Sequence, residues 1–151
     1  MKITYAELIR APRAAIQALV ADVEQHPRWL SSCSQAAWTS ESRGVGAAFR
    51  QTTNGEAREG VVTIAEEGRA GFEIRSSQGQ AQFGFDFDLE AVAADVTRLT
   101  FTMTIDLAAG GGAPAGCVAF FFKLMGNRFE ESARRQLSES FASLKRLAEA
   151  G

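Results

Sequence analysis

The chain has 151 residues, enough for one domain that buries roughly 70% of its unfolded surface around a single core. With 46% hydrophobic and 23% charged residues the composition is that of a globular protein, and 16 basic against 18 acidic residues leave a net charge of -2. That balance excludes the basic face of a nucleic-acid binder, and the apolar patch at residues 117–125 is too short to cross a bilayer, which takes about 20 apolar residues.

The opening MKITYAELIRAPR lacks the apolar core of a signal peptide, so the expected location is cytoplasmic. KITYAELI predicts a first strand over residues 2–9, with Tyr5 and Glu7 on the same face as Ile3. Pro12 then opens a short helix through Ala21, a good place for proline because the first helical N–H has no partner anyway. Val23 to Leu30 predicts a second helical turn, interrupted by Pro27, so the two helices form a bent pair. His26, the chain's only histidine, lies in this turn and reads as a partly exposed capping or packing residue.

From residue 32 to 107 turn signals recur about every ten residues, the pattern of an antiparallel sheet or open barrel. Asn54-Gly55 predicts a hairpin, since both central positions of a type I′ turn need positive φ. Gly68, Gly71 and Gly79 are expected to mark the next turns. FGFDFDLE places Phe83, Phe85, Phe87 and Leu89 on one strand face, and LTFTMTIDL does the same with Leu99, Phe101, Met103, Ile105 and Leu107. Asp86, Asp88 and Glu90 fall on the opposite, solvated face, which argues against a cation site. Gln51 shares a face with Phe49. Cys33 and Cys117 are read as buried free thiols, and one histidine with two distant cysteines offers no zinc set. No cofactor or metal is expected. The glycine run 110–112 lacks the Lys and Ser/Thr of a phosphate loop and is read as a linker.

The remainder predicts one long helix to about Ala148. Phe129, Ala133, Leu137, Ser140, Leu144 and Leu147 form an apolar stripe, with Glu130, Glu131, Arg134, Arg135, Glu139 and Lys145 mostly off it. Helical phasing puts Phe122 and Met125 on the stripe's side and Phe120 and Leu124 towards the other. The second pair is expected to contact a loop, a homodimer partner or a membrane surface.

The order is thus α+β: a strand, two short helices, six more antiparallel strands and a long carboxy-terminal helix. Seven strands curved around one helix need not fill the space between, and a concave apolar pocket is a default ligand site. Trp29, Phe49, Gln51, Phe72, Phe83, Phe85, Phe87, Phe101, Met103, Phe122, Met125 and Phe129 are the expected ligand-binding residues.

Three stretches carry a family resemblance: IRAPRAAIQALVADVEQHPRWL, GVGAAFRQT and the closing LKRLAEA. Together they make nearly the whole chain similar to the START-like superfamily with the helix-grip fold, in particular its bacterial polyketide cyclase/dehydratase-like branch. The resemblance implies a hydrophobic cavity between sheet and long helix, used across the superfamily for lipids, sterols, polyketides, quinones and plant hormones. Some members are enzymes and many are carriers or sensors. A cyclase or dehydratase would need a proton-transfer group in the cavity, for which Glu7 and Tyr5 are the candidates. ADVEQHPRWLSSC is also similar to the start of the coenzyme-Q-binding proteins, which makes a quinone a further ligand class.

Overall fold

The computed structural model describes residues 1–76, 81–106 and 115–151, with side chains of the last helix described at Arg128 and from Glu130 onward. Strand β1 (Lys2–Ile9) leads into α1 (Arg13–Ala21), a 3₁₀ turn (Val23–Gln25) and α2 (His26–Trp29). Six strands follow: β2 (Cys33–Trp38), β3 (Ala48–Thr53), β4 (Glu56–Glu66), β5 (Arg69–Arg75), β6 (Gln82–Ala93) and β7 (Val96–Asp106). Helix α3 (Ala115–Ala150) closes the chain. The strands form one antiparallel sheet in the order β1-β7-β6-β5-β4-β3-β2. The helix pair thus carries the chain from one sheet edge to the other, and the strands then return in sequence until β7 lies beside β1.

Local chemistry explains these bounds. Pro12 sits in the extended N-cap of α1, and its carbonyl accepts from the N–H groups of Ala15 and Ile16. Asp22 breaks the helix pair: its Oδ1 accepts from Glu24 N at 3.1 Å and from Trp38 Nε1 at 3.1 Å, tying the bend to β2. Asn54 and Gly55 have φ of 52° and 79°, the two positive values that the β3–β4 hairpin requires.

Gly71 departs from expectation. It lies inside β5, paired with Ile64 across a register shift in β4, rather than in a turn. A Cβ there would meet Thr63 Oγ1 at 2.8 Å and Ile64 Cγ1 at 2.9 Å, so the residue is small because the irregular strand crosses it closely. Gly79, Leu107, Cys117 and the glycine run lie outside the described residues or side chains, as do the side chains of Phe120 and Leu124. Among the described residues, no helix is long and apolar enough to cross a membrane.

The inner sheet face carries the alternation read from the sequence. Phe87, Leu89, Leu99 and Phe101 are buried, whereas Asp86 pairs with Arg69 and Glu90 with Arg98 on the outer face, both at 3.3 Å. Phe49 pairs with Gly60 across β3 and β4, and its buried ring lies over that glycine, wedged between Trp38 and Phe72. A methyl at position 60 would lie 2.3 to 2.8 Å from three Phe49 ring atoms. Gly60→Ala is therefore expected to cost about 1–3 kcal/mol, read as a lowered urea midpoint with an unchanged slope. A neutral substitution would show that the ring can move aside.

Candidate functional site

Helix α3 crosses the concave face and is tied to it at several points. Ser31 N donates to Ser140 Oγ at 2.9 Å, Lys145 pairs with Glu7 at 3.4 Å, and Phe141 stacks on Tyr5 with ring centroids 4.8 Å apart. The space left between helix and sheet has two adjoining parts that share Leu30, Gln51, Ile74, Phe85 and Leu137 in their walls.

The inner part is nearly filled. His26, Trp29, Phe72, Phe87, Phe101 and Phe141 surround it, and only about 30 Å³ remains, about one water's share of liquid. Trp29 is stacked on Phe141 at 6.0 Å, and other pairs pack edge to face or tilted: Phe72 against His26 at 5.2 Å, Phe87 against Phe101 at 4.9 Å and Phe101 against Phe141 at 5.3 Å. The outer part is open, with about 260 Å³ between Phe83, Phe85 and Met103 on the sheet and Ala133 and Leu137 on α3. It reaches the surface at Asn54, Ser132 and Gln136, which are exposed.

Of the residues expected to bind ligand, Trp29, Phe72, Phe87 and Phe101 line the inner part, and Phe83 and Met103 the outer; Gln51 and Phe85 belong to both. Phe49 lines neither. Phe122, Met125 and Phe129 fall outside the described side chains. Tyr5 and Glu7 lie on the concave side of β1, hydrogen-bonded to each other at 3.1 Å, but neither is among the described lining residues. Phe141 is stacked on Tyr5 and itself lines the inner part. Burial and the Glu7 carboxylate beside it raise the Tyr5 pKa above its ordinary value.

His26 corrects the sequence reading most. It is 4% exposed rather than partly exposed, and its ring faces the inner part. Nε2 donates to the Val20 carbonyl at 2.8 Å, which leaves Nδ1 to accept from Gln51 Nε2 at 3.3 Å. Burial lowers its pKa from 6.5 to about 4, only partly opposed by the Val20 hydrogen bond and the Asp22 charge, so the ring is neutral near pH 7. Both of its nitrogens are engaged. Gln51, 2% exposed, is thereby oriented at the junction of the two parts. Cys33 is a buried free thiol, its pKa raised by burial.

Arg58 was not singled out in the sequence, although a signal existed. The Asn54-Gly55 turn fixes the register so that Arg58 pairs with Gln51 and shares its face. Its side chain is 18% exposed, its guanidinium lies 5.1 Å over the Phe83 ring, and Nη2 is 3.4 Å from Glu56 Oε2. Its Nε–H is shielded from water and finds no acceptor, a situation that costs about 1–3 kcal/mol. Phe141 was also missed, because the helical stripe was drawn through its neighbour Ser140.

The model of the family described as polyketide cyclase/dehydrase and lipid transport matches residues 1–149. Among solved structures, the Zhui aromatase/cyclase from Streptomyces sp. R1128 superposes with a TM-score of 0.75 at 11% identity, over 99% of this chain and 93% of that one. TTHA0849 from Thermus thermophilus gives 0.74 at 16% identity, over 99% and 98%. A START superfamily protein from Mycobacterium smegmatis gives 0.72 at 14%, over 99% and 97%. At these identities the likeness concerns the fold alone. No curated protein matches the chain.

Proposed function

Because the chain belongs to the polyketide cyclase/dehydrase and lipid transport family, we propose that it binds a small apolar, ring-containing or lipid-like molecule between sheet and α3. In this reading the whole chain acts as one ligand-binding domain, a carrier or sensor in the cytoplasm. The observation that carries it is the outer pocket: an apolar wall of Phe83, Phe85, Met103 and Leu137, a polar side that includes Gln51, Thr53, Asn54 and Arg58, and a path to the surface. Its volume of about 260 Å³ lies at the small end of ligand sites, which favours a compact ring system over a long acyl chain or a sterol. A quinone headgroup falls in the same class. Affinity would come mainly from apolar burial, at roughly 25 cal/mol per Å².

A cyclase or dehydratase needs a proton donor or acceptor against the ligand. Tyr5 and Glu7 are not among the described lining residues, and His26 has both ring nitrogens engaged, so binding without chemistry is the stronger reading. The test is titration with a neutral naphthalene fluorophore. Ala133→Trp, which fills the outer part from α3, is expected to weaken binding by at least about tenfold while leaving the circular dichroism spectrum unchanged. Tyr5→Phe and Glu7→Gln are expected to bind as the parent does. Equal binding by the Trp variant would remove the pocket from the account.

A further inference from the structure

We infer that Phe85 is the specificity-determining residue of this pocket: its ring closes the deep end of the open part and limits how far a ligand reaches towards the aromatic core. The inference rests on the pocket reading above and adds to it the residue that sets ligand depth. Along the inward face of β6, Phe83 lines the outer part alone, Phe87 the inner part alone, and Phe85 between them lines both. Phe85 thus stands at the boundary, in a collar completed by Leu30, Gln51, Ile74 and Leu137.

Strand pairing fixes it there. Phe85 lies opposite Phe72 on β5 and Met103 on β7, and the same row continues to Val62 on β4 and Ile3 on β1. Those four are buried, whereas Phe85, at the centre of the row, stays partly exposed because it faces the open space. Its ring rests on that of buried Phe101, 5.7 Å between centroids and 24° from parallel. Withdrawing it would disturb the inner cluster, where only about 30 Å³ remains. A ligand entering from the surface therefore meets a fixed ring with no room behind it. Among the collar residues Phe85 is the one aromatic, and Gln51 is held by His26 at 3.3 Å, so truncating Phe85 opens the most depth. The pocket accordingly takes a ring with a short apolar substituent, and a longer chain leaves its excess at the mouth.

The experiment measures para-alkylphenols, from methyl to octyl, by displacement of the neutral naphthalene fluorophore. In the parent protein each methylene is expected to tighten binding by about fourfold until the chain end reaches Phe85, after which affinity levels off. Phe85→Ala is expected to move that levelling point by at least about two methylenes. Phe85→Leu, which covers the case of an Ala variant that fails to fold, is expected to move it by about one. Phe83→Ala, which removes the same ring from the outer part alone, is expected to weaken every homologue without moving the levelling point. A levelling point that is the same in the parent and both Phe85 variants overturns the assignment, as does an equal displacement in Phe83→Ala, and the pocket reading survives either result. If the fluorophore and every homologue fail to bind the parent, the pocket reading falls and the assignment with it.

Discussion

Phe141→Ala is expected to lower stability by about 3–5 kcal/mol, the range for truncating a buried aromatic whose surroundings cannot collapse. Phe141 is 1% exposed and stacks on Tyr5 at 4.8 Å and Trp29 at 6.0 Å, with Phe101 tilted against it at 5.3 Å. One ring thus joins α3 to β1, α2 and β7. These partners are themselves held: Trp29 Nε1 donates to the Leu19 carbonyl at 3.0 Å, and Tyr5 and Phe101 are paired across β1 and β7. They are not free to fill the gap. Urea unfolding of the variant measures the loss, and a change below about 1 kcal/mol would show that α3 is not anchored through this ring.

Acidification supplies the second large effect. His26 is neutral in the folded protein down to about pH 4, whereas the unfolded chain takes up its proton near 6.5. Between these values the unfolded state binds one more proton, so stability rises with pH. The contribution is complete above about 6.5 and is lost progressively as pH falls towards 4. The size is about 3 kcal/mol, from roughly 1.4 kcal/mol per pH unit over that interval. Carboxylates also titrate at the acid end, which makes the informative quantity a difference. The stability of the parent minus that of His26→Gln is expected to fall by about 3 kcal/mol between pH 7 and pH 4. A difference that stays constant would mean that the ring is reached by water and protonates at its ordinary pKa.

Much of the fold was legible because its signals are local. The period of two in FGFDFDLE and LTFTMTIDL put Phe83, Phe85, Phe87, Phe101 and Met103 on one face, where β6 and β7 carry them. The positive φ demanded at Asn54-Gly55 and the bend beside Pro27 were equally local. What escaped depends on who meets whom across the chain. His26 is buried because Val20 and Gln51, from different elements, both reach its ring, and composition holds no record of that. Gly71 carries the same one-letter signal as a turn glycine; the register shift in β4 that demands it lies in another strand. Alternation marked the aromatics but not the fact that Phe72, Phe87 and Phe101 interlock with Phe141 into a nearly filled core. The open space is consequently displaced towards Phe83, Met103 and Arg58, at the outer part.

The claim that this outer space is a ligand site is tested most directly by methyl-resolved NMR during titration with a neutral naphthalene compound. Saturable shifts are predicted at the methyl groups of Ile74, Met103, Ala133 and Leu137, which line the pocket, with Leu8, Val61 and Val92, exposed elsewhere, unchanged. Shifts confined to those exposed residues, or none that saturate, would contradict it.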